Sequence, residues 1–250
     1  MNHDVPPTHP RYHSLMTRQR VVAGIKAGIT SLHGLIAQGR AEAFDYLLGE
    51  KTHDFATEAV EAAAALLLRA QHPVLCVNGN VCALAAPEMV LLSQLLEAPL
   101  EVNIFHPSKR RERSIRDALL LAGAPHVLMA SRRAELAGLD HNRRFINPKG
   151  IGRADVVFVP LEDGDRCQAL RVAGKEVITI DLNPLSRTAR SASITIVDNL
   201  VRCLPLLGKR VIELQKKGPV AWAGLLATYR NERALQAAER RLRTPAPKPG

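Results

Sequence analysis

The sequence predicts an α/β chain: a Rossmann-like, mostly parallel sheet with helices on both faces, flanked by N- and C-terminal helices. Three observations carry this. Short β-branched runs alternate with helical patterns six times, the pattern of parallel strands joined by helical crossovers. Such crossovers are right-handed, which leads to a doubly wound sheet. Four of the runs stop at polar residues, where open α/β sheets bind their ligands. An apolar content of 46% with only 4% aromatics gives an ample core of Leu, Val, Ile and Ala.

The 250 residues fit a single α/β domain with four parts. These are a helical part over 1–72, the sheet over 73–199, C-terminal helices over 200–242 and a Pro-rich tail over 243–250, expected to be disordered. Met1 to Pro10 is rich in Pro and His and is expected to be poorly ordered. Tyr12, Leu15, Val22 and Ile25 fall near one face of a helix over Arg11–Ala27, with Arg18 off that stripe. Gly28 to Glu50 carries Gly28, Gly34, Gly39 and Gly49, residues that let a backbone approach a ligand or a neighbouring helix. Arg40, beside Gly39, reads as a surface charge or as a phosphate clamp. Phe55 to Ala70 is a strong helix by propensity.

Pro73 opens the first strand, which ends at Asn78-Gly79-Asn80; this is a tight turn or an anion-facing strand-to-helix junction. Neither G-x-G-x-x-G nor G-x-x-x-x-G-K-[ST] occurs. A helix over Pro87–Leu96 and a strand over Leu100–Phe105 follow. Ser108 then caps a helix that opens on Lys109, Arg110, Arg111 and Arg113. Cations at a helix N-terminus oppose its dipole, so the cluster makes most sense beside an anion; the alternative is a solvated basic turn. Val127 to Ala130 is a short strand, and Ser131 to Gly150 a polar connection containing His141–Arg144. Ala154 to Pro160 is a buried strand running into Glu162, Asp163 and Asp165, read either as helix caps or as a Mg2+ site at Asp163 and Asp165. The C-terminal helices span Leu200–Gln215 and Pro219–Leu242, and Trp222 and Tyr229 are expected to anchor them, across a dimer interface.

The stretch around which these elements are organised is Glu176 to Asn199. Val177 to Ile180 stops at Asp181-Leu182-Asn183, Pro184 breaks the strand, and Ser186, Arg187 and Thr188 follow. Ile194 to Val197 stops at Asp198-Asn199. Carboxylates, amides and an arginine gathered at strand ends could hold ribose, phosphate and a metal; turn-forming Asp and Asn with a solvated Arg is the plainer reading.

This segment, DLNPLSRT followed by ITIVDN, resembles the archaeal phosphopantothenate synthetase family, the 4-phosphopantoate–β-alanine ligases. Collinear with it are PRYHSL, GLIAQGRAEAFDYLLGE, VNGN and ADVVFVPLEDGDR, so the resemblance spans Pro10 to about Pro205. It implies an enzyme that joins 4-phosphopantoate and β-alanine through an acyl-adenylate, releasing AMP and pyrophosphate, in coenzyme A biosynthesis. The alternative is a non-catalytic nucleotide sensor of the same fold. ATP would be the cosubstrate, with Mg2+ beside it. The resemblance implies ATP contacts at Arg18, Arg40, Asp181, Leu182, Asn183, Arg187, Thr188, Asp198 and Asn199. Asn78, Asn80, Arg110 and Arg111 are expected at the substrate; no catalytic nucleophile is evident. The chain departs from the family at Gln38 (usually His), Ala41 (usually Gly), His106-Pro107-Ser108 (usually Tyr-Arg-Thr) and Cys167-Gln168 (usually Thr-Glu). Rigid Pro107 would keep the exit from its strand ordered.

The net charge of +10 is concentrated in the last 42 residues, which hold ten Lys/Arg against three Glu. Without aromatics interleaved among the remaining cations, nucleic acid is not an expected partner. Cys76, Cys82, Cys167 and Cys203 show no metal or disulfide spacing, and Cys167 is the one expected to be more exposed. No apolar run approaches the roughly 20 residues of a membrane span, and the N-terminus lacks a signal-like core, so a cytoplasmic chain free of membrane is expected. A homodimer is expected as well.

Overall fold

The computed structural model describes residues 5–9, 11–106 and 108–244. The expectations for Pro107, for 245–250 and for the first four residues and Pro10 lie outside them. Three helices come first: α1 (Tyr12–Lys26), α2 (Leu32–Leu48) and α3 (Asp54–Arg69). Then follow β1 (Pro73–Val77), α4 (Gly79–Leu96), β2 (Leu100–Val102), α5 (Lys109–Leu121) and β3 (Val127–Met129). A hairpin, β4 (Ser131–Glu135) and β5 (Phe145–Ile146), encloses a 3-10 turn at Asn142–Arg144. The chain continues through β6 (Val156–Phe158), α6 (Gly164–Val172), β7 (Glu176–Ile180), α7 (Arg187–Ser191) and β8 (Ile194–Ile196). It closes with α8 (Leu200–Lys217), α9 (Pro219–Thr228) and α10 (Asn231–Arg243).

The main sheet has six strands in the order β3-β2-β1-β6-β7-β8, every neighbouring pair parallel. After β3 the chain crosses to the other side of β1, so the strand order reverses between β1 and β6; ligands of open α/β sheets bind at that point. Strand period sorts the side chains. Leu75, Val77, Phe158, Ile178 and Ile180 join the large core shared with α3, α4, α5 and α8. Val74, Cys76, Val157, Val159 and Val177 face the other way, onto α6 and the segment from Leu136 to Ile151.

Helices thus lie on both faces but unequally, because the connection read as a polar loop forms the β4–β5 hairpin and packs as part of the second layer. Glu101, fully buried in β2, holds that layer in place. Its carboxylate accepts the backbone N–H groups of Asn147 (2.9 Å) and Ile151 (2.8 Å). Gly150 is required there, since a Cβ would lie 2.1 Å from the Glu101 carboxylate. Burial pushes the Glu101 carboxyl up, while those two N–H groups and nearby cations pull it down.

Two further expectations need correction. Cys167 is fully buried, its thiol donating to the Thr188 carbonyl (3.5 Å) and pushed up by burial to about 12. The last helix is two, α9 and α10, broken at Tyr229-Arg230. Asn231 explains the break: its Oδ1 accepts the Thr195 N–H (2.7 Å) and its Nδ2 donates to the carbonyls of Ala189 and Ala192. It thereby caps the exposed edge of β8 and draws the chain down onto it. Trp222 and Tyr229 anchor α9 within their own chain, the indole N–H donating to the Leu214 carbonyl (2.7 Å) and the Tyr229 hydroxyl to Asn231 (3.1 Å).

The helix expected from Pro87 begins at Gly79 and is interrupted at Ala85 (φ −153°, ψ 37°), two residues before Pro87. Among the described residues α4 is long and apolar enough to cross a membrane, yet it packs on α1, α5 and α8, with more than half of its length buried.

Candidate active site

A cavity of about 650 Å³ opens along the carboxyl ends of β1, β2, β6 and β7, roofed by the α1–α2 loop and the start of α2. Its size suits a nucleotide-sized ligand. Each wall follows from local sequence. Asn78 caps α4 through the Val81 N–H and reaches across to β6, donating to the carbonyls of Pro160 and Leu161 (3.1 Å each). Leu161 takes a left-handed conformation (φ 55°), uncommon for a branched side chain and characteristic of strain stored at functional sites. Asn80 accepts the Thr30 hydroxyl (2.6 Å) and donates to the Gly34 carbonyl (2.9 Å), pinning the α1–α2 loop. Gly79 lets that loop touch α4: a Cβ there would lie 2.6 Å from the Ile29 carbonyl oxygen.

The far wall is the Asp181–Thr188 segment. Asp181 accepts the Asn183 N–H (3.0 Å) and the Ser186 hydroxyl, and Ser186 in turn caps α7 through Ala189 N–H (2.9 Å). Burial raises the Asp181 carboxyl; the Ser186 hydrogen bond and the Arg40 charge oppose the rise. Thr188 donates to the Glu162 carbonyl (3.1 Å). Arg187 is ion-paired with Asp165 across the cavity mouth.

Of the residues expected at ATP, Arg40, Asp181, Leu182, Arg187, Thr188 and Asn199 line this cavity. Asn78, Asn80 and Arg111, expected at the substrate, also line it, as do Asp163 and Asp165. Four do not. Arg18 forms a bidentate pair with Glu42 of α2 (2.7 and 2.5 Å), which Arg11 also grips. Asn183 turns its Oδ1 to the Leu185 N–H (3.0 Å) and stays exposed. Arg110 points to solvent. Asp198 lies just behind the cavity, 1% exposed, accepting from Thr52 (2.6 Å), the Asn199 N–H (2.7 Å) and Arg202 (2.7 Å). Burial pushes its carboxyl up, and the Arg202 charge pulls it back. Asn199 caps α8 and donates to Asp45 (3.3 Å).

Among the wall residues that sequence reasoning did not single out are His33 and Arg143, while His106 was noted only as a departure from the family. His33 and His106 meet in a tilted contact, 5.2 Å between ring centroids, and line the cavity together with Arg111. Arg143 was visible only as one of two arginines in a polar stretch; the hairpin is what turns it inward while Arg144 pairs outward with Glu135 (3.3 Å).

Asp163, Asp165 and His141 bring one ligand atom each to within 4.8 Å of one another. The set does not fit Mg2+ as it stands. Asp163 caps α6 through the Arg166 N–H (2.8 Å) and pairs with Arg143, while Asp165 pairs with Arg187. The Nδ1 of His141 accepts the Arg143 N–H (3.3 Å), which leaves the proton of the neutral ring on Nε2, a donor. Guanidinium groups already neutralise both carboxylates.

The cavity therefore combines cations and donors (Arg40, Arg111, Arg187) with carboxylates (Asp165, Asp181), an arrangement suited to polyanionic and zwitterionic ligands. Relatives agree with this picture. The 4-phosphopantoate–β-alanine ligase of Methanosarcina mazei is 51% identical over 235 residues, covering 94% of this chain and 92% of the relative. That of Thermococcus kodakarensis is 47% identical over 86% of this chain and 81% of its own, and that of Thermococcus onnurineus 45% over 92% and 89%. The sequence model of the phosphopantothenate/pantothenate synthetase family matches residues 55–245, from the first turn of α3 through the sheet to the end of α10. With the polar strand ends, the α1–α2 roof and the near-full-length likeness in agreement, the chain belongs to the phosphopantothenate/pantothenate synthetase family.

Proposed function

We propose that this protein joins 4-phosphopantoate to β-alanine at the expense of ATP, giving 4'-phosphopantothenate, AMP and pyrophosphate, a step of coenzyme A biosynthesis. The observation that carries the reading is one continuous cavity, in a chain of this family, with donors for a nucleotide at β7–β8 and donors for an acid at β1–β2. A carboxylate is a poor acyl donor because its leaving group would be oxide. Attack of a carboxylate oxygen on the α-phosphorus of ATP forms an acyl-adenylate, and the bond to the β-phosphate breaks with its electron pair on pyrophosphate. The neutral amine of β-alanine then attacks the acyl carbon, the bond to AMP breaks, and the surplus amine proton is released. The chain's task is orientation and charge neutralisation. In this reading Asp181 and the Leu182–Asn183 turn hold the ribose and base, Arg40, Arg187 and Thr188 the phosphates, and Asn199 supports them from β8. Asp198 acts through Asn199, and Arg18 must leave Glu42 to reach the nucleotide. Mg2+ accompanies ATP in this proposal, but no step is derived through it.

The Asp181 carboxyl, raised by burial, gives a pH prediction. An ordinary aspartate protonates near about 3.9. As pH falls through the raised value Asp181 loses its charge, so ATP affinity should weaken at a higher pH than an exposed aspartate would cause. Titration calorimetry between about pH 4 and 7 checks this; Asp181→Asn should flatten the acid limb, and an unchanged limb would remove Asp181 from the site.

Arg111 lines the cavity at the start of α5, held by the Ser108 cap (3.2 Å). Replacing it by alanine should raise KM for 4-phosphopantoate by about 10-fold or more and KM for ATP by less, the cost of one charge-assisted contact. Arg110→Ala should act in the same direction but more weakly, because Arg110 points to solvent. Steady-state kinetics with each substrate varied decide it; equal changes in both KM values would reduce the cluster to a basic turn.

Self-association as a homodimer also belongs to the proposal, and exposed Leu32, Ile36 and Tyr46 give α2 an apolar stripe for it. Exchange of labelled pyrophosphate into ATP that depends on 4-phosphopantoate tests the adenylate directly. A protein that binds ATP without such exchange would be the sensor instead.

A further inference from the structure

The β4–β5 hairpin carries one side chain into the cavity, and no expectation accounts for it. Arg143 is 6% exposed, yet it lines the cavity. A single nitrogen, Nη1, makes both of its ion pairs, to Glu162 and Asp163. Its Nε is closed off without a partner, while Nη2 makes no hydrogen bond among the described residues and is not closed off in that way. Nη2 is thus the nitrogen left to face the cavity, and a mostly buried guanidinium with an unused donor is costly unless something else accepts from it.

Its position says what that acceptor is. Glu162 and Asp163 follow β6, while the Arg143 guanidinium carbon stands 5.6 Å from the centre of the Phe105 ring, which follows β2. Arg143 therefore lies between the ends of β2 and β6, over the end of β1, at the reversal of strand order where the acid wall at β1–β2 gives way to the nucleotide side of the cavity. The side chain cannot drift. Glu162, with 2% of its side chain exposed, also pairs with the fully buried Arg166 (2.5 Å), and Glu101 clasps the layer that carries the hairpin. Burial first, and then the Arg166 charge, lower the Arg143 guanidinium to about 10, so it stays cationic at neutral pH.

We infer that Arg143 is a catalytic residue whose Nη2 holds an oxygen of the α-phosphate of ATP as the acid carboxylate attacks the phosphorus. This rests on the ligase reading given above. Attack adds negative charge to the equatorial oxygens of the phosphorus, and a guanidinium held in place by two carboxylates stabilises that charge without reorganising. Arg111 would take the remote phosphate and Arg143 the reacting end, which gives the two arginines different kinetic signatures. Arg111 acts on KM for one substrate, Arg143 on the chemical step.

The test uses the full chain and two variants. Arg143→Lys keeps a cation for Glu162 and Asp163 but loses the second terminal nitrogen that faces the cavity. It should melt close to the parent and bind ATP within about two-fold, while 4-phosphopantoate-dependent pyrophosphate exchange falls by about 100-fold. In Arg143→Ala, added guanidinium ion should restore exchange by about 10-fold or more, a rescue that a merely structural arginine would not show. Exchange in Arg143→Lys within about two-fold of the parent overturns the inference. So does a loss that tracks a fall in melting temperature without guanidinium rescue. If the parent itself shows no exchange, the ligase reading fails first, which keeps the two failures apart.

Discussion

Arg202→Met should be strongly destabilising. Arg202, in the first turn of α8, donates to both oxygens of Asp45 on α2 (2.7 and 3.1 Å) and to Asp198 (2.7 Å). The Asp45 and Asp198 side chains are 5% and 1% exposed. Methionine fills the same space but leaves two carboxylates buried without their shared counter-ion. Breaking a buried ion cluster from one side costs about 3–5 kcal/mol, which in a chain of this size lowers the melting temperature by roughly 6–20 °C. Because Asn199 donates to Asp45 and lines the cavity, ATP affinity should fall as well. Adding Asp45→Asn to Arg202→Met should recover part of the loss, and a double-mutant cycle measures that coupling. A melting temperature within about 2 °C of the parent would mean the network is solvated and energetically idle.

The second large effect is expected at Gly79. An alanine Cβ there would meet the Ile29 carbonyl oxygen at 2.6 Å and the Thr30 Cα at 3.1 Å, both backbone atoms that cannot swing aside. The α1–α2 loop would have to lift from α4, taking Thr30 and Gly34 with it and loosening the hydrogen bonds of Asn80. Displacing a substrate-positioning loop by about 1 Å can cost on the order of 100-fold in turnover, so kcat/KM should fall by that order. Gly224, in α9, is the control: a Cβ there meets nothing within 4 Å. Gly224→Ala should keep full activity and gain about 0.5–1 kcal/mol of stability from the restricted unfolded chain. Parallel assays of the two variants decide the matter; an active Gly79→Ala would mean the loop adapts.

These effects also mark what could be read from the sequence. All six sheet strands were legible, because each is a short, mostly apolar run placed between helical patterns. The Asp181–Thr188 wall was legible too, since polar residues directly after a buried strand have one place to go. The hairpin at Ser131–Ile146 was not. Its strands are half-polar and irregular in register, and its anchor is Glu101, some 46 positions from Asn147 along the chain. With the hairpin went Arg143, indistinguishable in one dimension from its neighbour Arg144. The break between α9 and α10 was hidden for the same reason: Asn231 matters through a sheet edge 36 residues away. Residue identity also overstated the freedom of some side chains. Asn78 and Asn80 look like ligand donors, yet their amide groups hold the walls together.

One incubation tests the central claim most directly: the purified protein with Mg-ATP, 4-phosphopantoate and β-alanine, following AMP and 4'-phosphopantothenate together. The ligase reading predicts that the two products appear in equal amounts, and that sustained AMP release requires both organic substrates. Binding of ATP without AMP under the same conditions, or AMP formed at the same rate when either organic substrate is left out, would contradict it.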